Sequence, residues 1–419
     1  MSYPKLMRGL EAFFVFLLGF GMFISKPVIY ISSSALVLLL VISLLSNSVD
    51  RREILAQRWL IAAIGIYFLG VIATLIYPAN IADLVFYARK ALFLLVFVAL
   101  WLAYRDGSTR AAALTGILLG FWVAVGLTLY HWPRGDIVTR LPGGTWPVDI
   151  WGPLCAFTAA FLLPFTLSRQ YGWGARLFFM TTVATALIFM LLSGSRAPML
   201  GLFISISAYL LFSHRRLLLV LLASLVVLYW PAKLIWPNQI MQIQSRIESI
   251  DYRHPDVSGQ TRLQLWQLSL AQDKEKWHTN PLVLLFGSGP ENHRTEIKAF
   301  FNSTNTLTED VKKRLAQDAY PSNDVHNMYL DSIAKMGLIW TAAAIIFLIG
   351  LLVLCWRRRK TSHELSLAGA LVMSTFIVTG FFYDALLHFN SVFMIFFVTL
   401  ALAQNPTDTA VKNLQAQTA

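Results

Sequence analysis

Long apolar runs constrain this chain more than any other feature of its sequence. About twelve stretches approach the roughly 17 to 25 residues that an α-helix needs to cross the hydrocarbon of a bilayer. They lie near residues 8–25, 28–45, 59–77, 83–104, 111–130, 148–167, 177–193, 197–212, 216–231, 328–355, 365–383 and 386–403. Hydrophobic residues make up 57% of the chain and charged residues 13%, far from the balance of soluble domains. The sequence therefore predicts an all-α, polytopic integral membrane protein with about twelve transmembrane helices.

The first apolar run, GLEAFFVFLLGFGMFI, follows basic residues as the core of a signal peptide would, but no small-x-small cleavage motif comes after it. We interpret it as a retained first helix. The two cysteines, Cys155 and Cys355, fall in separate apolar runs, which argues against a disulfide and favours a packing role for both.

Positive charge marks one side of the predicted spans. The Arg-rich loops on that side are SVDRREILAQR, YRDGSTR, SRQYGWGAR, SHRR and WRRRK, whereas the alternate loops carry little charge. Because positively charged loops stay inside, this side is predicted to be cytoplasmic, with both termini there. The net charge of +12 then describes a face that attracts anionic membrane lipids, and it does not favour a nucleic-acid partner.

The spans divide the chain into four parts. Residues 1–231 hold predicted helices 1 to 9, residues 232–325 form one large outside segment, residues 326–404 hold helices 10 to 12, and residues 405–419 are a cytoplasmic tail. The outside segment carries 11 Lys and Arg against 11 Asp and Glu, a balance that suits a carbohydrate or lipid-linked substrate better than a polyanion.

Short amphipathic helices are expected in the outside segment. Apolar residues recur at helical spacing at Ile240, Ile243 and Ile247, and again at Leu265 and Leu268, on either side of the stretch DYRHPDVSGQ.

Two arginines lie where the predicted topology places the outer membrane edge. Arg196, in LLSGSRAPMLG, occupies a very short outside turn, and Arg262, in SGQTRLQLWQLS, begins an amphipathic helix. A turn arginine can simply reach the headgroups, and a helix arginine can simply face solvent. Arginines from separate segments that converge would instead hold a pyrophosphate, because the guanidinium group binds phosphate in a bidentate manner.

Four further polar residues lie at membrane depth, where burying a charge is costly unless it is paired or functional. Arg89 and Lys90, in FYARKALFLL, lie in the outer part of the fourth span, where interfacial anchoring is the alternative role. Asp384 and His388, in FFYDALLHFN, are spaced to share one face of a helix, where a structural polar contact is the alternative.

One histidine, His326, stands between the outside segment and an apolar run in SNDVHNMYLDSIAKMG. A histidine has an ordinary pKa of about 6.5, so it can take a proton from a sugar hydroxyl near neutral pH. Its neighbour Asn327 is suited to cap the helix that follows. With the arginines, this histidine would supply a metal-free glycosyl transfer. The sequence has no DxD, HxxxH or HExxH pattern, so neither a metal nor another cofactor is expected.

The layout of about twelve spans with a late outside segment, together with SGSRAPMLG, SGQTRLQLW and DVHNMYLDSIAKMGLIW, resembles the O-antigen ligase family. That family includes O-antigen polymerases and pilin-glycosylating ligases. The most specific element is the H-N-x-x-L pattern from His326 to Leu330, which leads into a span containing Gly337. The resemblance implies a membrane glycosyltransferase fold of the C type, with a large periplasmic helical segment and a periplasmic active site in the bacterial inner membrane.

The resemblance also implies roles for individual residues. His326 would be the base that activates the acceptor hydroxyl, while Arg196 and Arg262 would hold the pyrophosphate of an undecaprenyl-pyrophosphate-linked glycan. The acceptor would be a sugar on lipid A core, and direct displacement would invert the anomeric centre. Asp384 resembles a family aspartate, although its flanking residues match less well, and Arg89 and Lys90 fit by location.

Two other residue patterns are given no catalytic role. The glycines of FGSGPENHRT, Gly287 and Gly289, follow no strand and are interpreted as ordinary turn residues rather than a nucleotide loop. His293, in the same stretch, is assigned a structural role.

Alternative functions remain open at this point. An O-antigen polymerase or a pilin O-oligosaccharyl ligase would use the same residues on another acceptor. A transporter of lipid-linked sugars would instead place its charges near the membrane midplane, often on broken helices in matching halves. The unusual residues here cluster at the outer boundary, and no repeat of one half in the other is visible, which favours the enzyme.

Overall fold

The computed structural model describes residues 3–46, 54, 55, 57–77, 80–131, 141–213, 215–235, 241, 257–303, 313, 325–359, 363–384 and 386–403. Within these residues the chain forms sixteen helices. They are α1 (Tyr3–Ile24), α2 (Lys26–Leu45), α3 (Arg58–Ile76), α4 (Ile81–Lys90), α5 (Phe93–Ala103), α6 (Gly107–Tyr130), α7 (Val148–Leu167), α8 (Trp173–Ser193), α9 (Arg196–Ser213), α10 (Arg215–Ile235), α11 (Val257–Thr279), α12 (Pro281–Phe286), α13 (Pro290–Ser303), α14 (Met328–Arg358), α15 (His363–Thr379) and α16 (Phe389–Leu402).

The predicted all-α membrane fold is confirmed. Eight helical stretches of the described chain are long and apolar enough to cross a membrane, namely α1, α2, α3, α4 with α5, α6, α7, α8 and α14. Helices α9, α15 and α16 are apolar but shorter. Together with α10, these helices coincide with all twelve predicted spans, and the fourth span is divided in two at Ala91 and Leu92.

The centre of the bundle is formed by α5, α7 and α16. Nearly every side chain of α7 and α16 is buried, which is expected of helices that are apolar on all sides and surrounded by other helices. Helix α15 packs against α7, α9, α14 and α16, while α1 packs against α2 and α6. Cys155 in α7 and Cys355 in α14 are both free and buried, as the packing role predicts.

Helix α14 is broken near its start, which the sequence did not predict. Gly337 has φ 81° and ψ 168°, so the helical path is interrupted between a first part ending at Met336 and the long apolar remainder. The left-handed φ favours glycine, and a Cβ atom at Gly337 would lie 2.3 Å from the carbonyl oxygen of Leu285. The close approach of another backbone therefore requires glycine at the break.

The loop between α12 and α13 fills this break. The N–H groups of Ser288 and Gly289 donate to the carbonyl oxygens of Ala334 and Lys335, each at 3.0 Å. Gly287, with φ 86°, lies so close that a Cβ atom would be 2.3 Å from the Lys335 carbonyl oxygen. The glycines that the sequence suggested were ordinary turn residues are thus required by the packing of this loop on α14.

Helix α13 is held to the bundle by a carboxylate from α4. Asp83 is buried, and its Oδ1 atom accepts from the backbone N–H of Glu291 at 2.6 Å and of Asn292 at 3.3 Å. These groups belong to the first turn of α13, where helix N–H groups have no partner within the helix. The bond therefore fixes part of the outside segment to the bundle.

The expectation of amphipathic helices is confirmed for the second of the two stretches. Leu265 and Leu268 of α11 are buried in a small apolar cluster with Ile297 and Val325. Residues 257–260 of the stretch interpreted as a break belong to α11. Ile240, Ile243, Ile247 and the predicted tail 405–419 lie outside the described residues.

Candidate functional site

The turn from Gly380 to Asp384, which follows α15, contacts two of the segments that carry predicted site residues, the start of α14 and α11. Its first two carbonyl oxygens accept from the start of α14: Gly380 O from the Met328 N–H at 2.8 Å, and Phe381 O from Asn327 Nδ2 at 3.3 Å. Bonds of this kind at a helix N-terminus fix the entry of the chain into the helix. The turn and the start of α14 therefore form one unit.

His326 lies directly before this unit. Its φ of 52° makes it the one described non-glycine residue with positive φ, and its neighbour Asn327 caps α14 by accepting from the N–H groups of Tyr329 and Leu330 at 3.0 and 3.2 Å. The predicted cap is thus confirmed. On the other side, Val325 is buried and its carbonyl oxygen accepts from Trp266 Nε1 at 3.1 Å. The backbone of His326 is therefore held from both sides.

Arg262 reaches the same turn from α11. Its guanidinium carbon lies 5.7 Å from the centroid of the Tyr383 ring. One helical turn further along α11, Trp266 packs against Phe382 with ring centroids 6.3 Å apart and donates to the residue before His326. Since residues i and i+4 share one helix face, Arg262 and Trp266 both face the turn. The structure thus brings Arg262 into the neighbourhood of His326.

Arg196 is the first residue of α9, on the same end of the bundle. Ser195, just before it, is buried and donates from Oγ to the Val148 carbonyl oxygen at 2.7 Å. At Gly201 a Cβ atom would lie 2.8 Å from Thr379 Oγ1, so α9 touches the end of α15 there. Arg196 lies five residues earlier, about 7.5 Å along the helix axis, toward the end where the turn begins. Arg196 therefore begins α9 at the end that is nearer the turn.

Asp384 lies in the turn and not on a helix, so the prediction that Asp384 and His388 share a helix face is wrong. Helix α15 ends at Thr379, and His388 has extended φ and ψ as the N-cap of α16. The physical reason is that α14 takes the turn's first carbonyl groups, which leads the chain away from the helical path. Asp384 instead lies 3.5 Å from the ammonium group of Lys335.

Lys335 and Asp331 are site residues that the sequence reading missed. Lys335 Nζ lies 2.6 Å from Asp331 Oδ2, and both side chains are buried on the first part of α14. Their i, i+4 spacing in LDSIAKMG, at the start of an apolar run, was a visible signal. The contact with Asp384 was not visible, because it joins α14 to a turn almost fifty residues later in the chain.

Arg89 and Lys90 lie apart from this turn, in a cleft between α2, α4 and the start of α16. The cleft is open to the outside and is lined by Ile29, Tyr30, Ser33, Arg89, Lys90, Leu92, Phe93, His388, Phe389 and Val392. Lys90 Nζ lies 5.3 Å from the centroid of the Phe389 ring, and Lys26 Nζ lies 5.9 Å from the same centroid. Two cations therefore line a mostly apolar and aromatic cleft and a third lies beside one of its rings, a combination that suits a phosphate carried on a lipid.

The cleft and the turn are joined by a short stretch of chain. His388, which lines the cleft, is four residues beyond Asp384, so the two α-carbons are at most about 15 Å apart. Lys26 was not recognised in the sequence, where it is a single lysine before an apolar run. His388 was recognised, but with Asp384 as its partner.

Outside the apolar helices, one carboxyl group of α11 has a perturbed pKa. Burial raises the pKa of Asp273 from its ordinary value to about 6, and the nearby charge of Lys276 only partly opposes this. Lys276 itself binds Glu296 at 3.0 Å and donates to Ser288 Oγ at 2.7 Å. These contacts join α11, α13 and the loop that fills the break in α14. His293, which the sequence suggested would lie in a loop, is buried within helix α13.

Within the described residues, no group of three or more His, Cys, Asp or Glu side chains is placed to hold a metal ion. The charged and titratable side chains at the candidate site are those of a histidine, arginines, a lysine and carboxylates.

One known protein family matches a part of the chain that includes residues of the candidate site. Residues 181–343 match the family described as O-antigen ligase, which confirms the resemblance indicated by the sequence motifs. The matched stretch includes Arg196, Arg262 and His326, whereas Arg89, Lys90 and Asp384 lie outside it. A search of the curated proteins finds no match.

Proposed function

We propose that the chain, whose residues 181–343 match the O-antigen ligase family, transfers a glycan from undecaprenyl pyrophosphate to a sugar hydroxyl of lipid A core. The match supports a glycosyltransferase of the ligase or polymerase type in a multi-pass membrane protein. The proposal adds the donor, the acceptor, the periplasmic face of the bacterial inner membrane as the place of reaction, and the residues that act.

The observation that supports the proposal is the contact of two segments with the Gly380–Asp384 turn. Arg262 of α11 lies beside Tyr383, and the start of α14, which follows His326, is bonded to the turn. Arg196 begins α9, which touches Thr379 just before the turn. A base and permanent cations are what a transfer from a pyrophosphate donor requires, since a proton must leave the acceptor and negative charge develops on the leaving group.

In the proposed reaction, His326 takes the proton of the acceptor hydroxyl. The hydroxyl oxygen attacks the anomeric carbon, a new glycosidic C–O bond forms, and the bond from that carbon to the pyrophosphate oxygen breaks. The electron pair leaves with undecaprenyl pyrophosphate, whose charge Arg196 and Arg262 stabilise. A single displacement inverts the anomeric centre.

The cleft at Arg89 and Lys90 supports a place for the donor's lipid phosphate region. Its apolar lining suits the polyprenyl chain, and its cations suit the phosphates. In this arrangement the donor extends from the cleft toward the turn, with the anomeric carbon directed at His326.

The experiment that tests the proposal is transfer by the purified protein in lipid nanodiscs. Wild-type protein with an undecaprenyl-pyrophosphate-linked glycan and lipid A core is expected to give a glycan-extended lipid A core and free undecaprenyl pyrophosphate, both detected by mass spectrometry. His326→Ala is expected to lower the rate at least about 100-fold.

Two further reactions identify the acceptor. A second lipid-linked glycan in place of lipid A core tests for a polymerase, and a pilin peptide tests for a pilin ligase. Release of undecaprenyl pyrophosphate with either of these, and not with lipid A core, would reject the proposed acceptor. An unchanged rate for a fully inserted His326→Ala protein would reject the proposed base.

A further inference from the structure

A buried lysine, Lys335, connects the first part of α14 to the far end of the Gly380–Asp384 turn. Lys335 Nζ lies 2.6 Å from Asp331 Oδ2 on its own helix and 3.5 Å from Asp384 Oδ2 at the far end of the turn. Asp331 and Lys335 are almost fully buried, and Asp384 is nearly so. Ion pairs withdrawn from water are screened far less than those on a surface, so this contact fixes geometry.

Backbone groups hold the beginning of the turn. Gly380 and Phe381 accept from the start of α14, and the Tyr329 ring packs on Phe381 with centroids 4.7 Å apart. Asp384, three residues later, is joined to α14 through Lys335. The contact therefore closes the far end of the turn onto the same helix that holds its beginning.

Residues of the proposed site lie on both sides of this contact. Tyr383, whose ring faces Arg262, directly precedes Asp384, and His388 in the cleft follows four residues later. On the other side, the first part of α14 begins two residues after His326. A shift of Asp384 away from α14 would thus move the donor-side residues relative to the base.

We propose that Lys335 is a positioning residue: by joining Asp384 to Asp331, it fixes the donor-side chain, residues 383–388, relative to His326. This inference rests on the proposed function and extends it to residues with no part in the chemistry itself. An error of about 1 Å in such an arrangement costs about 100-fold in rate, so a small displacement has a large effect on turnover and little effect on binding of the acceptor.

The test uses the purified full chain in nanodiscs, with variants Lys335→Met, Asp384→Asn and their combination. Lys276→Met is the matched control, because Lys276 also binds a carboxylate and a hydroxyl in a partly buried place but does not contact the turn. Amide hydrogen exchange over residues 380–388 reports the position of the turn without any substrate. Glycan transfer to lipid A core gives kcat and the KM for the acceptor.

Lys335→Met is expected to raise exchange over residues 380–388 at least about tenfold and to lower kcat about 30-fold or more, with the acceptor KM within about threefold of wild type. Lys276→Met should leave both readouts within about twofold. The double variant should lose no more activity than the worse single variant, because both changes break one contact.

Unchanged exchange, or faster exchange with unchanged kcat, in an active protein overturns the positioning role alone. Loss of kcat in proportion to a loss of folded protein also overturns it. Absence of transfer by wild-type protein instead rejects the proposed function, and the positioning role with it.

Discussion

At the scale of single residues, the main finding is that His326 has a left-handed backbone. Its φ of 52° is held by neighbours on both sides, Val325 bonded to α11 and Asn327 bonded to the turn and to α14. A left-handed non-glycine residue is disfavoured by about 1–2 kcal/mol, and such residues cluster at functional sites. The sequence predicted the place of the histidine and the cap beside it, but backbone conformation depends on tertiary bonds that it does not display.

His326→Gly is expected to separate stability from activity. Glycine adopts positive φ without the Cβ penalty of about 1–2 kcal/mol, which offsets its greater entropy in the unfolded chain of about 0.5–1 kcal/mol. Thermal unfolding should therefore change little relative to wild type, while glycan transfer falls at least about 100-fold because the ring is gone. A glycine variant that still transfers glycan would show that the backbone shape, and not the imidazole, is what the site needs.

At the scale of helices, the sequence predicted well which segments form helices. It predicted less well where those helices break and end. Every predicted span coincides with a helix because apolar length is a strong signal for a membrane helix. The break at Gly337 and the turn after Thr379 depend on neighbouring chain, namely the Ser288–Gly289 loop and the start of α14. The predicted helix through Asp384 and His388 does not form for this reason. The apolar pattern continues past Thr379, but the carbonyl groups of Gly380 and Phe381 accept hydrogen bonds from the start of α14.

Helix α11 is expected to be less stable at neutral pH than at mildly acidic pH. The folded-state pKa of Asp273 is about 6 and its unfolded value about 3.9, so the folded state holds the proton more tightly. The contribution of Asp273 to the free energy of unfolding is then greatest below about pH 4. It decreases as the pH rises toward 6, by up to about 3 kcal/mol.

Asp273→Asn removes this titrating group while keeping its shape. Thermal unfolding of the purified protein should be followed between pH 4 and pH 8. The melting temperature of the variant should rise relative to that of the wild type as the pH rises, and it should not exceed the wild-type value at pH 4. Asp106→Asn is the matched comparison, because hydrogen bonding to Ser108 lowers the pKa of that carboxyl and so the variant should lose, not gain, stability above pH 4. Parallel curves for Asp273→Asn and wild type would show that this carboxyl group does not couple folding to pH.

At the scale of the whole molecule, contacts between distant parts of the chain bring the site together. Asp83 binds the start of α13 across 208 residues of sequence, and Thr145 donates to the Ile24 carbonyl oxygen across 121. No local pattern encodes such pairs. The sequence could therefore predict that Arg196, Arg262 and His326 lie on one side of the membrane, but it could not predict that Arg262 packs beside Tyr383. The alternation of charged and uncharged loops predicts which helix ends share one side of the membrane.

The orientation of the bundle is testable with single cysteines, because both native cysteines are buried. Thr145 is exposed at the end of the bundle that carries the candidate site, and Ser108 is exposed in the Arg-rich loop at the opposite end. With the Arg-rich loops in the cytoplasm, Thr145→Cys should react with a membrane-impermeant maleimide in spheroplasts. Ser108→Cys should react only after the membrane is opened, and the unsubstituted protein should stay unlabelled in both conditions. Labelling of Ser108→Cys in intact spheroplasts, with Thr145→Cys protected, would reverse the orientation and place the candidate site in the cytoplasm, where it could not meet a periplasmic donor.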